Sequence, residues 1–382
     1  MPVPQILLCT VGTSLFFPNL EGLRTKLAAN SLSEGDPNRP LAEAYLAKDW
    51  KRVAQELLRK PGNERTCGAE VNSIHSMIEH DQVPKNCGLF FFHSDTADGR
   101  DIASVLVELF RARGHSPVQA VPIIDLQDQD PKRFRTHGLR NLVRELCQVV
   151  RQYSAKSCAF NATGGYKAQI AIAVLMGQAL GIPVYYMHER FSEIISFPPM
   201  PVALDFEVWM RSSGMLFDLA RSQDAIPIDE YREEIDERME SLINRVHIDG
   251  SEYVELSPSG QIFHETFRER FRTGQDQVLP PPAVQKLVPA LHDHGVINAY
   301  RTPLTRYLQR ITNEIPCVVR CITNYCNPDL PQRERFRLTR GEIEGVYSDG
   351  SVTVKFLVET TANTEGQRAA VVALLNQWLE TK

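Results

Sequence analysis

The sequence predicts an α/β protein: a Rossmann-like, doubly wound sheet, then a helical or winged connector, then a small α+β domain. In the N-terminal half, short and almost wholly apolar runs alternate with helix-period segments, which is typical of a parallel sheet covered on both faces. In the C-terminal half, a charged helical stretch gives way to several strand-like runs separated by turn signals. We place the domain boundaries accordingly at residues 1–204, 205–278 and 283–382.

Composition supports a folded, globular chain. The 382 residues leave room for two domains and a connecting module. Apolar residues make up 43% and charged residues 23% of the chain, which excludes fibrous and disordered classes. With 42 basic and 47 acidic residues the net charge is −5, which argues against coating duplex nucleic acid by bulk charge but leaves room for a local basic site.

Cysteine usage and the N-terminus predict a cytoplasmic protein with reduced thiols. The chain has eight cysteines and starts without a basic region followed by a long apolar run. The closest cysteines, at 317, 321 and 326, do not have the spacing of a zinc motif, so we expect no metal and no resident cofactor. Residues 168–187 are uncharged, but glutamines, a glycine and a proline divide them into a buried helix and a buried strand, so we expect no membrane partner.

In the N-terminal half, the alternation of apolar runs with helix-period segments predicts the individual strands and helices. Strands are predicted at residues 6–11, 89–93, 118–124, 158–161 and 183–186, and helices at 41–59, 101–113, 136–153 and 166–180.

The C-terminal elements follow from charge and turn signals. We expect helices at 229–246, 261–272, 283–292, 303–311 and 364–379, and strands at 252–255, 316–323, 335–339, 343–347 and 351–359. The acidic start of the helix at 229–246 is typical of a solvated connector, and the proline run within 279–282 is the best linker.

Three loops follow predicted strands, and we name them here. The first loop is residues 9–16 (CTVGTSLF), the middle loop 94–100 (SDTADGR) and the glycine loop 161–167 (NATGGYK). In a doubly wound sheet, ligands bind beyond the carboxyl ends of the strands, where backbone N–H groups and hydroxyls can meet phosphate or ribose. The first loop taken alone is equally explained as a tight turn with a helix N-cap at Thr13 or Ser14.

The kind of ligand follows from what these loops contain and lack. Neither glycine-containing loop matches G-x-G-x-x-G or G-x4-G-K-[ST], which excludes the dinucleotide and nucleoside-triphosphate fingerprints. Hydroxyls, amides and a single lysine suit a sparsely charged ligand whose phosphates are spread apart.

In this order, the three motifs resemble the CARF domains of type III CRISPR accessory proteins, which sense cyclic oligoadenylate. The resemblance covers about residues 1–200. It implies a homodimer that binds cyclic tetra-adenylate as its activator across a two-fold axis, because a near-symmetric ring matches an isologous interface. The resemblance implies that Thr10, Gly12, Thr13 and Ser14 line the ring, that Asp95 and Thr96 flank it, and that Gly164, Gly165 and Lys167 hold phosphate.

Some relatives also cleave the ring slowly, by aligning a ribose 2′-hydroxyl with its phosphate. That reaction needs geometry and charge neutralisation more than a strong base. Ser14 and Lys167 are the candidates here, although both also suffice for binding alone.

The C-terminal domain lacks two common effector motifs. It has no convincing R-x4-6-H motif of HEPN ribonucleases, and Thr353 stands where a PD-(D/E)xK nuclease needs a carboxylate before Lys355. Its basic strands weakly resemble RelE-type messenger-RNA interferases, which act without metal. This resemblance implies an RNA substrate on the ribosome and makes Arg333, Arg335, Arg337, Arg340, Lys355 and Tyr347 the catalytic candidates, with Tyr325 beside them.

Strand alternation predicts that Arg335 and Arg337 share one face with Arg333 in register. The alternative is that this arginine row is a solvated edge that discourages aggregation.

Three functions follow from these resemblances. The first is a ribonuclease of CRISPR antiviral defence that cyclic tetra-adenylate activates. The second is a ring nuclease that degrades the signal, and the third is a ligand-responsive regulator that binds nucleic acid without cutting it; the net negative charge counts against this third function.

Overall fold

The computed structural model describes residues 3–188, 193–200, 204–232, 234–235, 237–292, 297–327, 333–349 and 352–381. It divides the chain into two compact units, Met1–Ala203 and Leu204–Lys382. No helix among the described residues has both the length and the apolar character needed to cross a membrane.

The first unit is built on one six-stranded sheet. Its strands are β1 (Ile6–Thr10), β2 (Gly88–Ser94), β3 (Val118–Ile123), β4 (Cys158–Asn161), β5 (Val184–Met187) and β6 (Ile194–Phe197). Its helices are α1 (Glu21–Ala28), α2 (Arg39–Leu46), α3 (Trp50–Leu58), α4 (Ala69–Glu79), α5 (Ala97–Ala112), α6 (Pro131–Arg133), α7 (Leu139–Tyr153) and α8 (Lys167–Leu180).

The strand order in this sheet is β3-β2-β1-β4-β5-β6. The first five strands are parallel and β6 runs antiparallel to β5. Every residue of β1 and β2 is buried, which is why the sequence shows continuous apolar runs there and no alternation. The mixed α/β fold with a parallel sheet that the sequence predicts is therefore present.

Two helical predictions need correction in this unit. The single helix expected over residues 41–59 is two helices, because Lys48 has φ +54° and Asp49 then caps α3 by accepting from the Arg52 amide. The expected buried helix α8 is buried on one side only, through residues such as Ile172 and Met176, while Leu175 on the other side is 50% exposed. Periodicity could not show this, because the helix is apolar all round.

The second unit contains two antiparallel sheets. Its strands are β7 (Ile226–Pro227), β8 (Ile243–Ile248), β9 (Ser251–Leu256), β10 (Val318–Asn327), β11 (Arg335–Thr339), β12 (Glu342–Ser348) and β13 (Thr353–Thr360). Its helices are α9 (Phe206–Arg211), α10 (Ser213–Arg221), α11 (Pro258–Gly274), α12 (Ile297–Glu314) and α13 (Glu365–Glu380). The sheet orders are β7-β9-β8 and β10-β13-β12-β11.

The residues expected to form a connector and those expected to form an effector share one core. Ala370 and Ala373 of α13 belong to the same buried cluster as Trp209 of α9 and Phe267 of α11. Small side chains on α13 let these helices approach closely, so the division at residues 278–283 separates segments that fold together.

Two further helix predictions in this unit are wrong. Residues 243–248 form β8, which pairs with β9 across a turn where Asp249 and Gly250 both have positive φ, as a type I′ hairpin turn requires. The stretch 283–292 is extended and runs along β10, with the Ala283 amide donating to the Pro316 carbonyl at 2.9 Å and Leu287 to Val319 at 2.9 Å. Strand pairing satisfies these backbone groups in place of helical turns.

Candidate functional site

The three loops leave the same edge of the first sheet. In the parallel register Cys9 pairs with Asn161 and Thr10 with Phe92, so β1, β2 and β4 end side by side. The strand order reverses between β1 and β4, which is where ligands bind in doubly wound sheets. The fold therefore gathers the first, middle and glycine loops at one position.

The first loop and the glycine loop pack backbone against backbone. The Thr10 hydroxyl donates to the Gly164 carbonyl at 2.5 Å. A Cβ on Gly12 would lie 2.6 Å from the amide nitrogen of Gly165, which itself has φ +95°. A Cβ on Gly164 would overlap a carboxylate oxygen of Glu70 and lie 2.8 Å from the Thr10 carbonyl oxygen. These three glycines are needed for the two loops to touch.

Glu70 lies beneath this contact, and the sequence did not single it out. It belongs to α4 and is 1% exposed. Its Oε1 accepts from the Gly12 amide at 2.6 Å, and its Oε2 lies 3.5 Å from the Ser14 hydroxyl, which donates to it. Burial raises the pKa of this carboxyl, and the hydrogen bond from Gly12 opposes the rise. In sequence, an acid in the first turn of a helix resembles an ordinary exposed residue, so only the tertiary structure reveals it.

Glu70 changes the roles expected of the first loop. Because it accepts from the Gly12 amide, that donor is bound to protein and is not left for a phosphate. The Ser14 hydroxyl also accepts from the Ala69 amide at 2.9 Å and so supports the start of α4. Thr13 is exposed at the edge, and Thr10 is buried. Of the four predicted first-loop residues, Thr13 is thus the one whose side chain faces solvent most fully.

The middle loop is held by its own hydrogen bonds. The Thr96 hydroxyl accepts from the Gly99 amide at 3.0 Å and caps α5, and it also bonds the Ser94 hydroxyl at 2.9 Å. The Asp95 carboxylate accepts from the Arg100 guanidinium at 3.1 Å, with both side chains partly exposed. Both predicted residues lie at the expected edge and have protein partners.

Lys167 is the cation of the glycine loop. It is the first residue of α8, its side chain is exposed, and no ion pair joins it to a carboxylate within the described part of the chain. The preceding turn is fixed because Gln169, fully buried, accepts from the Tyr166 amide at 2.7 Å. A lysine at a helix N-terminus combines a charge with free backbone donors, which suits a phosphate.

The second candidate site is one face of the four-stranded sheet. The strand register places Arg335, Val346, Lys355 and Tyr325 in a row across β11, β12, β13 and β10. The Lys355 ammonium lies 5.6 Å from the centre of the Tyr325 ring, and this ring is 43% exposed. At the β13–β10 end, the row is accessible to solvent.

At the other end of the row, Arg335 is buried, with 1% of its surface exposed. Its guanidinium lies 3.5 Å from Glu234, 3.6 Å from Glu230 and 3.9 Å from Asp218, and it stacks over the Tyr231 ring at 4.8 Å. Burial raises the pKa of Asp218, and the positive charge of Arg335 opposes that rise. We call these five residues the Arg335 cluster.

Two more of the predicted catalytic residues, Arg337 and Tyr347, have their side chains engaged in contacts within the protein. Arg337 forms an ion pair with Glu344 at 2.8 Å. Tyr347 points to the opposite side of the sheet from its neighbour in the row, is 7% exposed, and packs its ring 4.9 Å from that of Tyr307. The structure therefore corrects the expectation that Arg335, Arg337 and Tyr347 face RNA. The alternative of a solvated edge is wrong for Arg335 and Arg337, whose side chains are paired inside the fold.

The remaining candidates are on the surface. Arg333 is exposed just before β11, and Arg340 is exposed in the two-residue turn to β12, where it has φ +53° and Gly341 has φ +82°. Together with Lys355 they are the predicted catalytic residues that solvent reaches.

Comparison with known proteins gives one family match. A family described as CRISPR-associated protein (Cas_APE2256) matches residues 65–200. The matched segment contains α4 with Glu70, the middle loop and the glycine loop. This part of the first unit is therefore similar to CRISPR-associated proteins.

Among solved structures, the chain is similar to Can2 from Sulfobacillus thermosulfidooxidans in complex with cyclic tetra-adenylate. The identity is 10% and the TM-score 0.25, over 72% of this chain and 66% of that one, so this chain spans just under two thirds of its length. No curated protein matches the chain.

Proposed function

We propose that this chain is a CRISPR-associated sensor and effector: cyclic tetra-adenylate binds the first unit and activates a ribonuclease in the second. The observation that carries the proposal is the edge where the first loop and the glycine loop pack together with Lys167 exposed beside them. The glycine loop and Lys167 lie within the segment that matches the CRISPR-associated family, and the first loop packs against that segment. The ring is an activator in this proposal, and no further cofactor is needed.

Ring binding would use the groups of the edge that are still available. Lys167 and the N-terminus of α8 would hold one phosphate, and the exposed Thr13 hydroxyl would meet ribose or phosphate. Glu70 and the three glycines would act underneath, by fixing the shape of the loops. Asp95 and Thr96 would flank the ring from the middle loop.

We propose that two copies of the first unit enclose the ring. The exposed apolar side of α8 supports this, because Leu175 is 50% exposed and the helix carries no charge between Lys167 and its end. An exposed apolar side chain here is available to pack against a second copy of the unit. A pair of copies related by a two-fold axis would offer the ring two equivalent edges.

The ribonuclease would resemble RelE-type interferases and use the solvent-exposed end of the basic face. The ribose 2′-oxygen would bond to the neighbouring phosphorus while the bond to the 5′-oxygen breaks. The 2′-proton would pass to a base and the 5′-oxygen would take up a proton, which leaves a 2′,3′-cyclic phosphate and a 5′-hydroxyl. Lys355 would neutralise the charge that develops on the phosphate oxygens, and Arg333 and Arg340, which flank the two ends of β11, would contact phosphates further along the RNA. A ribosome would position the messenger RNA.

Activation would require the ring to bind one arrangement of the dimer more tightly than another, since a ligand shifts an equilibrium only through such a difference. The ring would then favour the arrangement in which the basic face is competent to cut RNA.

The test is to incubate the protein with ribosomes and messenger RNA, with and without cyclic tetra-adenylate, and to measure both RNA products and the remaining ring. We expect RNA cutting only when the ring is present. Loss of the ring without RNA cutting would replace the proposal with a ring nuclease, and an RNA mobility shift without products would replace it with a regulator.

The binding half of the proposal is tested by calorimetry on Lys167→Ala. We expect about tenfold weaker ring binding, which is about 1.4 kcal/mol, because a charge-assisted phosphate contact is lost. The matched control is Lys156→Ala: it removes an exposed lysine from the opposite end of β4 and should leave affinity unchanged. Equal effects of the two variants would refute the assigned role of Lys167.

A further inference from the structure

The outer face of α12 lies outside both sites described so far. The inner face of this helix is core, since Leu304, Leu308 and Ile311 are fully buried. The outer face consists of two neighbouring columns of side chains spaced four residues apart. The first column is Arg301, Thr305, Gln309 and Asn313, and the second is Thr302, Arg306 and Arg310; together they line an open surface.

The charge of this surface has one sign. Its lining includes three arginines and neither aspartate nor glutamate, in a chain whose net charge is −5. Arg310 is paired with Glu314 at 2.8 Å, just beyond the lining. In the described residues no ion pair joins Arg301 or Arg306 to a carboxylate. No described carboxylate therefore neutralises Arg301 or Arg306.

The spacing suits a chain of phosphates better than a single anion. Arg301 and Arg310 are about 14 Å apart along the helix axis, at 1.5 Å per residue. Hydroxyl and amide side chains lie between the arginines, where they can donate to phosphate or ribose oxygens. A compact anion would contact one of these arginines, whereas an extended polyanion contacts several.

We propose that the outer face of α12 binds the phosphate backbone of RNA. The choice of RNA among polyanions rests on the proposed ribonuclease function. Tyr307 of α12 packs on Tyr347, which is on the opposite side of the sheet from Lys355, so α12 holds RNA away from the cutting face. Its role is to retain and orient the substrate.

The experiment measures equilibrium binding of the full chain to a fluorescent single-stranded 2′-O-methyl RNA over a range of salt concentrations. This RNA has no free 2′-hydroxyl and is not cut, so binding is measured apart from cleavage. The logarithm of the binding constant falls linearly with the logarithm of the salt concentration, and each phosphate contact on a single strand contributes about 0.7 to the steepness of that line. The variant Arg301→Gln/Arg306→Gln loses two such contacts, so the line should become less steep by about 1.4. At 0.1 M salt this corresponds to binding that is weaker by about 20-fold.

The matched control is Arg232→Gln/Arg272→Gln, which removes two positive charges from exposed positions elsewhere in the second unit. We expect this variant to bind as the unsubstituted protein does. Equal weakening of both double variants, or no RNA binding by the unsubstituted protein, would overturn the proposal. So would the reverse selectivity, in which polyglutamate binds through Arg301 and Arg306 and RNA does not.

Cleavage is a separate readout. If α12 binds RNA as expected but the chain cuts no RNA with the ring present, the ribonuclease proposal fails and the RNA-binding face stands. If RNA is cut and the α12 variant binds normally, the binding face fails and the ribonuclease proposal stands.

Discussion

Each of the two units buries a charged residue beneath its candidate site, but the surroundings of the two charges differ. In the first unit, the Glu70 carboxylate accepts hydrogen bonds from the Gly12 amide and the Ser14 hydroxyl, and neither of these groups is a cation. In the second unit, Arg335 is surrounded by three carboxylates. A buried charge must be compensated by hydrogen bonds or by ions of opposite sign, and each unit uses one of these means.

This difference decides which surface charges remain for a ligand. The loops of the first unit satisfy Glu70 locally and leave Lys167 exposed at the same edge. In the second unit the carboxylates around Arg335 remove it from the basic face, so Lys355, Arg333 and Arg340 remain. Comparing the two units thus separates charges that build a site from charges that can contact a ligand.

The largest effect that would test the comparison is loss of Arg335. We expect Arg335→Ala to reduce the free energy of unfolding of the second unit by about 3–5 kcal/mol, because Asp218, Glu230 and Glu234 lose the buried positive charge that offsets their own burial. The loss should be greater at pH 7 than at pH 5, because without the arginine the pKa of Asp218 rises further and its charged form becomes more costly as the pH increases. Urea denaturation at the two pH values measures both effects.

Two control variants separate stability from activity on the same sheet. Arg333→Ala should change stability by no more than about 0.5 kcal/mol, because the side chain is exposed. Lys355→Met should keep the fold and the ring affinity but remove ring-dependent RNA cutting. If Arg335→Ala is stable and only Lys355→Met unfolds, we have assigned the two residues the wrong roles.

A smaller effect is expected where the loops meet in the first unit. Gly164→Ala should destabilise this unit by about 1–3 kcal/mol and weaken ring binding, since the added methyl group overlaps Glu70 and approaches the Thr10 carbonyl. Gly181→Ala is a poor control because that residue has positive φ; Gly22→Ala is suitable because a Cβ there has nothing within 4 Å. If the Gly164 and Gly22 variants lose similar stability and ring affinity, the contact between the two loops does not have the role assigned to it.

The smallest effect concerns Glu70 and depends on pH. Burial raises its pKa in the folded state, so at a pH between its ordinary pKa and that raised pKa the folded chain holds a proton that the unfolded chain has released. Stability contributed by this group is present below its ordinary pKa and is lost as the pH rises through the folded value. Glu70→Gln, which still offers an oxygen to the Gly12 amide, should remove this loss. As the pH rises from about 4.5, the free energy of unfolding of the unsubstituted protein should therefore fall relative to that of the variant. A difference between the two free energies that does not change with pH would contradict the assignment.

Local patterns in the sequence determined the strands of the first sheet and the three loops. Strands β1, β2 and β4 are continuous apolar runs, and such runs bounded by turn residues fold as buried parallel strands. Because parallel strands present their carboxyl ends at one edge, the position of the first, middle and glycine loops follows directly. Lys167, at the start of a helix after a strand, could be recognised for the same reason.

Tertiary structure alone decided which polar residues are buried and paired with other groups of the protein. Glu70 in α4 and the acidic residues around Arg335 lie far along the chain from the groups they contact, and no spacing rule connects residue 70 to residue 12 or residue 335 to residues 218, 230 and 234. The extended course of residues 283–292 along β10 was decided in the same way, by backbone pairing between distant segments. Local periodicity reports which face of an element is apolar, whereas the partner that satisfies a buried charge or an amide is chosen only when the chain packs.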